Sequence, residues 1–382
     1  MKVAIIGGGP CGLYLGLLLK REQPVWQVEV IEQNAADATF GFGVVLADNG
    51  MLQLQEADQA SYNALCAAMR YNDRQIIMQR EEPIEINVKG GAIPRLDLLQ
   101  ILQREAEAAG VKIHFGRRVA TTADLAAFGL DDADVVVGAD GVNSVVRTQY
   151  AQAFATTQRL LSNHFAWYGT KRVFEASALV FRKYEGGHFV AHYYAYSNDM
   201  STFVAECDDA TWRRLGMAKM TDDERQHLFE KIFEPELEGA PLISNKSVWR
   251  QFPVIRNAHW THDRYVLIGD ALASAHFSIG SGTRIAVNDA IGLARALLAC
   301  GSDVAQGLAT FEASHKSQKN KLIDASERSY MWYEDIAQWM ESYTPEEFVY
   351  QFMTRTGRID DSRLRSEFPE LVERLAGNVR TL

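Results

Sequence analysis

Val3-Ala4-Ile5-Ile6-Gly7-Gly8-Gly9-Pro10-Cys11-Gly12 opens the chain's most informative segment, which continues as an apolar run to Lys20 and closes at Trp26–Glu32. Val3 to Ile6 is apolar throughout, as a parallel strand buried on both faces requires. Gly7 to Gly12 fits G-x-G-x-x-G. Leu13 to Lys20 reads as a helix that ends in charge at Lys20-Arg21-Glu22, and Trp26 to Ile31 reads as a second strand that delivers Glu32. Gly7 permits the tight turn, Gly9 lets backbone approach a pyrophosphate, and Gly12 lets helix and strand pack closely. Glu32 lies 20 residues beyond Gly12, where a carboxylate accepts hydrogen bonds from ribose hydroxyls. Gly7, Gly9, Pro10, Cys11, Gly12 and Glu32 are therefore candidate dinucleotide contacts. A secretory signal peptide shares the Lys2-plus-apolar start. The glycines interrupt that run, however, no small-residue cleavage site follows Leu19, and the next segment completes a βαβ unit.

The 382 residues suffice for two domains or one large domain with an insertion, and 47% hydrophobic residues supply a sizeable core. A net charge of −10 argues against nucleic acid or an anionic membrane as the main partner. Cys11, Cys66, Cys207 and Cys300 are scattered without a C-x-x-C pair, which argues against structural zinc or a disulfide framework and suits a reducing, cytoplasmic compartment. No uninterrupted apolar run reaches bilayer length. No His/Asp/Glu cluster has metal-ligand spacing, so no metal site is expected.

Further along, Thr39-Phe40-Gly41-Phe42-Gly43-Val44-Val45-Leu46 places two glycines around an aromatic residue before an apolar run. In an ordinary protein this is a turn and a strand. Beside a nucleotide crevice, Gly43 and Val44 would lay backbone against a flat ring. Asp73–Met78 and Ile84–Val88 read as a strand pair. Arg95 starts an amphipathic helix, either as a solvated helix-end charge or as a phosphate clamp. Asp134–Val137 runs into Gly138-Ala139-Asp140-Gly141-Val142-Asn143-Ser144-Val145-Val146-Arg147, a second strand ending in a Gly/Asp turn and helix start.

From about His164 to Phe252 the texture changes to aromatic-rich strands. Ser177–Phe181, His188–Tyr196 and Ser201–Glu206 read as antiparallel neighbours, with His192, Tyr194 and Tyr196 on one face by period two. A half-buried sheet with tyrosines at its margin has the same composition. Nucleotide-domain texture returns at Tyr265-Val266-Leu267-Ile268-Gly269-Asp270, followed by a loop carrying Gly280-Ser281-Gly282 and a helix from about Thr283. The tail after Phe311, with Trp332, Tyr333 and Trp339 at core spacing, reads as a packing element.

Three motifs thus stand in order: Gly7–Gly12 with Glu32, Asp140-Gly141-x-x-Ser144-x-x-Arg147, and Gly269-Asp270. Together they resemble the single-component, class A flavoprotein aromatic hydroxylases, the para-hydroxybenzoate hydroxylase superfamily. The resemblance implies an α/β fold: a Rossmann-like FAD-binding domain, an inserted mainly antiparallel β-sheet substrate domain, and a C-terminal helical segment. The expected boundaries are 1–70, 92–160 and 258–330 for the FAD-binding domain, 71–91 and 161–257 for the substrate domain, and 331–382 for the C-terminal segment.

It further implies that the first motif holds the ADP part of FAD. Asp140, Gly141 and Arg147 are associated with FAD and NAD(P)H, Asp270 with the flavin ribitol, and Arg95 with FAD. Gly280, Ser281, Gly282 and Thr283 would face the isoalloxazine. Many members carry proline in the loop after Gly-Asp, whereas this chain reads His276-Phe277-Ser278-Ile279-Gly280. That loop, with Trp167-Tyr168-Gly169-Thr170, Ala191-His192 and Ser201-Thr202-Phe203, resembles the salicylyl-CoA 5-hydroxylases and the hydroxylase part of 2-aminobenzoyl-CoA monooxygenase/reductase. It is also similar to the tryptophan hydroxylase of violacein biosynthesis. Arg355-Thr356-Gly357-Arg358-Ile359 resembles the CoA-thioester group more closely.

What this implies is an FAD-dependent monooxygenase. NADH or NADPH reduces FAD, O2 adds to give a flavin C4a-hydroperoxide, and one oxygen passes to an activated ring carbon. Water exclusion would protect that oxygen donor. His192 is the first candidate to strengthen the push from a ring hydroxyl or amino group, with Tyr194 on the same face, and His276 is the second. Each histidine is equally well read as a packing residue. Trp167, Tyr196, Phe277 and Ser278 are candidate substrate contacts. The leading expectation is hydroxylation of an aromatic acyl-CoA, salicylyl-CoA to the 5-hydroxylated, gentisyl-CoA product. Lys171-Arg172, Arg182-Lys183, Arg213-Arg214 and Lys316–Lys321 are candidate phosphate contacts, with ordinary solvated charge the favoured reading for most of them. The alternatives are a hydroxylase of a free heteroaromatic such as tryptophan and, in another class, a flavin-binding redox sensor or oxidase. The sequence specifies no oligomeric state.

Overall fold

Apolar runs that are continuous rather than alternating build the first sheet. Strand β1 (Lys2–Ile6) is buried from Val3 to Ile6, helix α1 (Pro10–Glu22) follows, and β2 (Gln27–Ile31) lies parallel to β1. Pro10 sits in the first turn of α1, where its missing N–H is one of the helix's unpaired donors. Lys20 and Arg21 complement the negative end of the helix dipole. The computed structural model that shows this describes residues 1–378, so the last four residues of the expected C-terminal segment lie outside the described residues.

Three strands then leave this sheet: β3 (Gly43–Ala47), β4 (Arg70–Gln79) and β5 (Glu82–Pro94). Helix α2 (Arg95–Ala109) ends at Gly110 in the left-handed conformation, and β6 (Lys112–His114) and β7 (Val135–Gly138) rejoin the first sheet. An inserted block follows: β8 (Thr156–Thr170), β9 (Ser177–Tyr184), β10 (Gly187–Ala195), β11 (Ser201–Cys207), β12 (Leu242–Ser244) and β13 (Arg250–Asn257). After it come β14 (Thr261–His262), β15 (Tyr265–Leu267) and the helices α3 (Gly282–Cys300), α4 (Val304–Glu334) and α5 (Pro345–Thr354).

The first sheet has the order β14-β15-β7-β1-β2-β6, parallel except for β14–β15. The second runs β12-β8-β11-β10-β9-β4-β5-β3, with β13 also on β8, and is antiparallel except for β4–β9. The expected strands are present, and β4 and β5 extend beyond Asp73–Met78 and Ile84–Val88. Two segments assigned from sequence to the FAD-binding domain pair in the second sheet instead. Gly43–Ala47 joins residues 94–90 of β5, and Thr156–Leu160 joins β13.

Register in the second sheet fixes what faces the first. Trp167, Val204, His192 and Leu179 lie side by side across four strands, with Phe165, Glu206, Val190 and Phe181 in the next row and Gly169, Thr202 and Tyr194 in the row on the other side. The opposite face, with Phe189, Phe203 and Tyr193, is covered by Phe229, Ile232 and Phe233. Ile77, Leu179, Phe181 and Val190 are covered by Trp332, Tyr333, Phe348 and Phe352, so the tail does pack as the sequence suggests.

Candidate active site

The three Gly/acid turns meet. Gly7 has φ +109°, and a Cβ there would stand 2.4 Å from the Ala139 carbonyl oxygen and 2.8 Å from Asp140 Cα. A Cβ at Gly12 would stand 2.1 Å from the Gly7 carbonyl oxygen. These contacts require glycine. Arg147 ties the second turn to the third, donating to the carbonyls of Gly141 (3.4 Å), Val142 and Ala271 (3.1 Å). Cys11 Sγ donates to the Ala286 carbonyl at 2.8 Å, beside Gly269. The Gly269 N–H donates to Asp289 Oδ2 at 2.8 Å, and Asp289 is buried with Lys319 and His315 against it.

Glu32 accepts the Gly8 N–H at 2.7 Å and the Asn34 N–H at 2.8 Å, so it clamps the glycine turn as well as standing at the end of β2. Asp140 Oδ2 accepts the Val145 N–H at 2.7 Å, whereas Oδ1 is buried without a partner, and burial raises the carboxyl pKa. Asp270 opens onto the cleft. Enclosure by protein raises its pKa, and the charges of Lys319 and Arg95 oppose the rise. Arg95 is half-buried near Asp270 and Tyr194, and desolvation lowers its pKa.

This set fits a flavin dinucleotide. An added Cβ would meet nothing within 4 Å at Gly9, Gly141 or Gly280, so backbone is bare where a ligand must approach. Asp140 Oδ1 still has acceptor capacity, and α1 points its N-terminus at the Gly7–Gly9 turn. Among the described residues no cluster of three His, Cys, Asp or Glu can hold a metal.

The second sheet closes the cleft. Gly43 is clamped at both ends: its N–H donates to Thr202 Oγ1 and its carbonyl accepts from the Tyr194 hydroxyl, each at 2.9 Å. Burial pushes Tyr194 up to about 12. Tyr194 therefore holds the Gly43–Val44 backbone. Tyr196, proposed from sequence to touch substrate, lies against Gly43, where a Cβ would meet its ring within 2.7 Å. Gly280 has φ +57° and closes the turn before α3, and Gly282 begins that helix. Thr283 lines a small apolar cavity with Leu46, Leu98 and Val287.

Trp167 and Phe277 meet edge to face at 5.3 Å, and Phe165 packs edge-on to Trp167 and tilted against Phe277. His192 lies in Trp167's row, half-buried, with no hydrogen-bond partner among the described residues. Burial and then the Arg355 charge push it down to about 4, so it is neutral at physiological pH. His276 departs further from a catalytic role. It is 3% exposed, its Nδ1 accepts the Ser278 N–H at 3.2 Å, and its own N–H donates to Ser326 Oγ at 2.9 Å. Burial and Arg355 push it down to about 3. It caps the loop that presents Phe277 and Ser278.

Three contributors escaped the sequence reading. Thr202 holds Gly43. Glu206, 3% exposed, accepts from Asn163 Nδ2 at 3.0 Å and is pushed up to about 8 by burial. Its signal was an acid at an inward position of an otherwise apolar strand. Arg355 lies in the tail stretch whose resemblance to the CoA-thioester group gave it no role at the site. It donates to the Ser278 carbonyl at 2.8 Å and Ser329 Oγ at 3.0 Å. The expected basic runs, by contrast, are largely neutralised. Arg172 pairs with Glu238, Arg182 with Glu81 and Glu236, Lys183 with Glu341, Arg213 with Asp209, Lys316 with Glu312 and Lys319 with Asp289.

A family model described as an FAD binding domain matches residues 1–326. The chain is 35% identical over 366 residues to a salicyloyl-CoA 5-hydroxylase from a Streptomyces species, covering 93% of this chain and 70% of that protein. It is 32% identical over 388 residues to protodeoxyviolaceinate monooxygenase from Chromobacterium violaceum, covering 100% and 99%. It is 34% identical over 300 residues to 3-hydroxy-4-methyl-anthranilyl-(aryl-carrier protein) 5-monooxygenase from Streptosporangium sibiricum, covering 78% and 80%.

Proposed function

The chain belongs to the FAD-binding-domain family and is an FAD-dependent aromatic monooxygenase, and on that footing we propose that it hydroxylates an aromatic acyl-CoA thioester, salicyloyl-CoA at ring carbon 5. When bound, FAD takes electrons from NADH or NADPH and activates O2, so that one oxygen atom reaches the ring and the other leaves as water.

The chain's own residues bind, orient and enclose. The Gly7–Gly12 turn with Pro10 and Cys11 at the start of α1 carries the diphosphate, and Glu32 the ribose. Asp140, Gly141 and Arg147 brace the middle of the cofactor, and Asp270 with Arg95 holds the ribityl end. Gly43–Val44 and Gly280–Thr283 flank the ring system with backbone. Trp167 and Phe277, in edge contact with each other, form one aromatic wall for the substrate ring, Ser278 and its loop limit its depth, and Phe165 and Phe252 keep water out. His192 accepts a hydrogen bond from the ring hydroxyl. A neutral imidazole serves this purpose, whereas an imidazolium offers no acceptor. Tyr194, Tyr196 and His276 act one step back, by positioning the Gly43 and Phe277 backbones.

The observation that carries the reading is the juxtaposition of the three-turn cleft with the Trp167–Phe277–His192 strip. The thioester is supported by the 35% identity to a salicyloyl-CoA 5-hydroxylase. A second reading, a free heteroaromatic acid, is supported by the full-length match to the violacein-series enzyme. The four free cysteines suit work in a reducing compartment such as the cytoplasm, and no described helix is long and apolar enough to cross a membrane. The test is NAD(P)H oxidation by the holoenzyme with salicyloyl-CoA, salicylate or tryptophan. Rapid oxidation coupled to a 5-hydroxylated thioester is the expected result. Equal coupling with salicylate, or turnover of tryptophan alone, would overturn it.

A further inference from the structure

With the expected basic runs largely bound to carboxylates, one group of arginines lacking a carboxylate partner among the described residues gathers elsewhere. They are Arg284 in the first turn of α3, Arg328 on α4, and Arg355 and Arg358 in the turn after α5. Backbone contacts tie Arg328 and Arg355 to the turn that carries Arg358, and Arg284 lies close to that turn. Arg328 Nε donates to the Thr356 carbonyl at 2.7 Å, and a Cβ at Gly357 would stand 3.3 Å from the same nitrogen. Arg355 fastens that turn to the Ser278 carbonyl, next to Phe277. Arg284 Nη2 reaches Ser281 Oγ at 3.3 Å, while its Nε is buried with no partner. Arg358 is near enough to Arg284 for its charge to disfavour the Arg284 cation, and Arg358 and Arg328 are exposed.

Clustered cations repel, and the cost grows where burial lowers the dielectric. In a chain of net charge −10, four guanidinium groups without an acid are a local inversion of charge. An anion between them relieves the repulsion. Guanidinium forks match phosphate oxygens in pairs, and a buried unpaired Nε supplies a donor that needs such an acceptor.

We propose that the Arg284–Arg328–Arg358 rim binds the phosphate groups of a phosphopantetheine thioester, whose acyl end passes Ser278 to reach Trp167 and Phe277. Arg355 is the positioning residue that fixes the rim to the loop carrying Phe277. The proposal rests on the thioester reading above. Coenzyme A and a phosphopantetheinylated carrier protein present the same phosphate-pantetheine chemistry, so the test separates them.

Arg358→Gln is the first variant, because the Arg358 side chain makes no hydrogen bond among the described residues and its loss leaves the fold intact. Arg328→Gln/Arg358→Gln is the second, and Arg358→Lys retains charge. With FAD bound, KM is measured for salicyloyl-CoA, for salicyloyl-pantetheine, which lacks phosphate, and for the salicyloyl group on a phosphopantetheinylated carrier protein. Arg358→Gln should raise KM for the preferred phosphate-bearing substrate about tenfold, the effect of losing one charge-assisted contact. The double variant should raise it further and Arg358→Lys should recover part. The pantetheine ester should respond equally in all proteins, and kcat should change little. Whichever of coenzyme A and the carrier protein shows the larger KM change is the source of the phosphate.

Free coenzyme A binding to the holoenzyme, followed by calorimetry, tests the rim without turnover and should weaken in step. A thioester that turns over with KM unchanged in the variants overturns the rim alone. If no thioester turns over but coenzyme A binding still weakens in Arg358→Gln, the rim stands and the substrate reading falls. An equal loss for pantetheine and CoA esters overturns the phosphate assignment.

Discussion

Gly7 and Gly9 are two residues apart and are glycines for different reasons. Gly7 is required by the protein, since its φ of +109° and the 2.4 Å approach of Ala139 both exclude a side chain. Gly9 has ordinary extended backbone, φ −73° and ψ 175°, and open space where a Cβ would go. Gly7→Ala should therefore lower the stability of the apoprotein by about 1–3 kcal/mol, the usual cost of a strained non-glycine residue. Gly9→Ala should leave apoprotein stability unchanged and lower FAD affinity instead. Urea unfolding of both apoproteins, with fluorescence titration by FAD, separates the two, and a destabilised Gly9→Ala apoprotein would refute the assignment. Glu206 makes a sharper residue-scale case. Its folded pKa, about 8, lies above the unfolded carboxyl value of 4.5. The unfolded chain therefore releases this proton first. Stability from Glu206 is complete below about pH 4.5 and is lost as pH rises toward 8. Glu206→Gln keeps an acceptor for Asn163 and never ionises. It should match the parent near pH 4.5 and exceed it at pH 8 by on the order of 4 kcal/mol. Parallel stability–pH curves for the two proteins would contradict a buried neutral acid.

Among elements, α3 and α4 support the third turn through one buried ion pair. Asp289 is 0% exposed and Lys319 2%, and Asp289 also accepts the Gly269 N–H. Removing one partner strands a charge in the core, whereas removing both does not. Lys319→Met should cost about 3–5 kcal/mol, and Asp289→Asn/Lys319→Met should recover a good part of it. The coupling energy from a double-mutant cycle in urea should be at least about 1 kcal/mol, and additive single effects would show that the pair does not bind the helices together. The same elements show what could be read from the chain and what could not. β1–α1–β2 was readable because a parallel sheet buried on both faces leaves an uninterrupted apolar run, and a glycine turn with a fixed offset to an acid is a local pattern. The sheet that β3 joins was not, since pairing of Gly43–Ala47 with residues 94–90 is a long-range choice with no local mark. The partners of the basic runs were unreadable for a related reason. Arg182 is held by Glu81 and Glu236, 101 and 54 residues away in sequence, so its charge looked free. Conversely, Arg355 stood out only by resemblance, and the docking of α5 on the second sheet is what brings it to Ser278.

For the molecule as a whole, α4 is the member common to both sheets. Its first half packs Leu308 and Phe311 into the core of the first sheet and carries Lys319. Its second half touches the cleft loop through Ser326 and Ser329 and accepts the Ser162 and Asn163 N–H groups of β8 on Glu334. A straight helix anchored at both ends transmits stability, because unfolding either end breaks contacts at the other. FAD binds the native state alone, so at a free concentration of 100 Kd it should add about 2.7 kcal/mol to global stability. Amides that exchange only by global unfolding should then slow about a hundredfold. This is expected for Val3–Ile6 in β1, which lie in the core and lead into the Gly7 turn. It is also expected for Phe348 and Val349 in α5, which touch the second sheet and none of the three turns. Hydrogen exchange with and without saturating FAD measures both sets in one sample. Slowing of β1 without slowing of α5 would mean that the tail opens by itself. In that case Arg355 would leave Ser278 in a fraction of molecules whether or not the cofactor is bound.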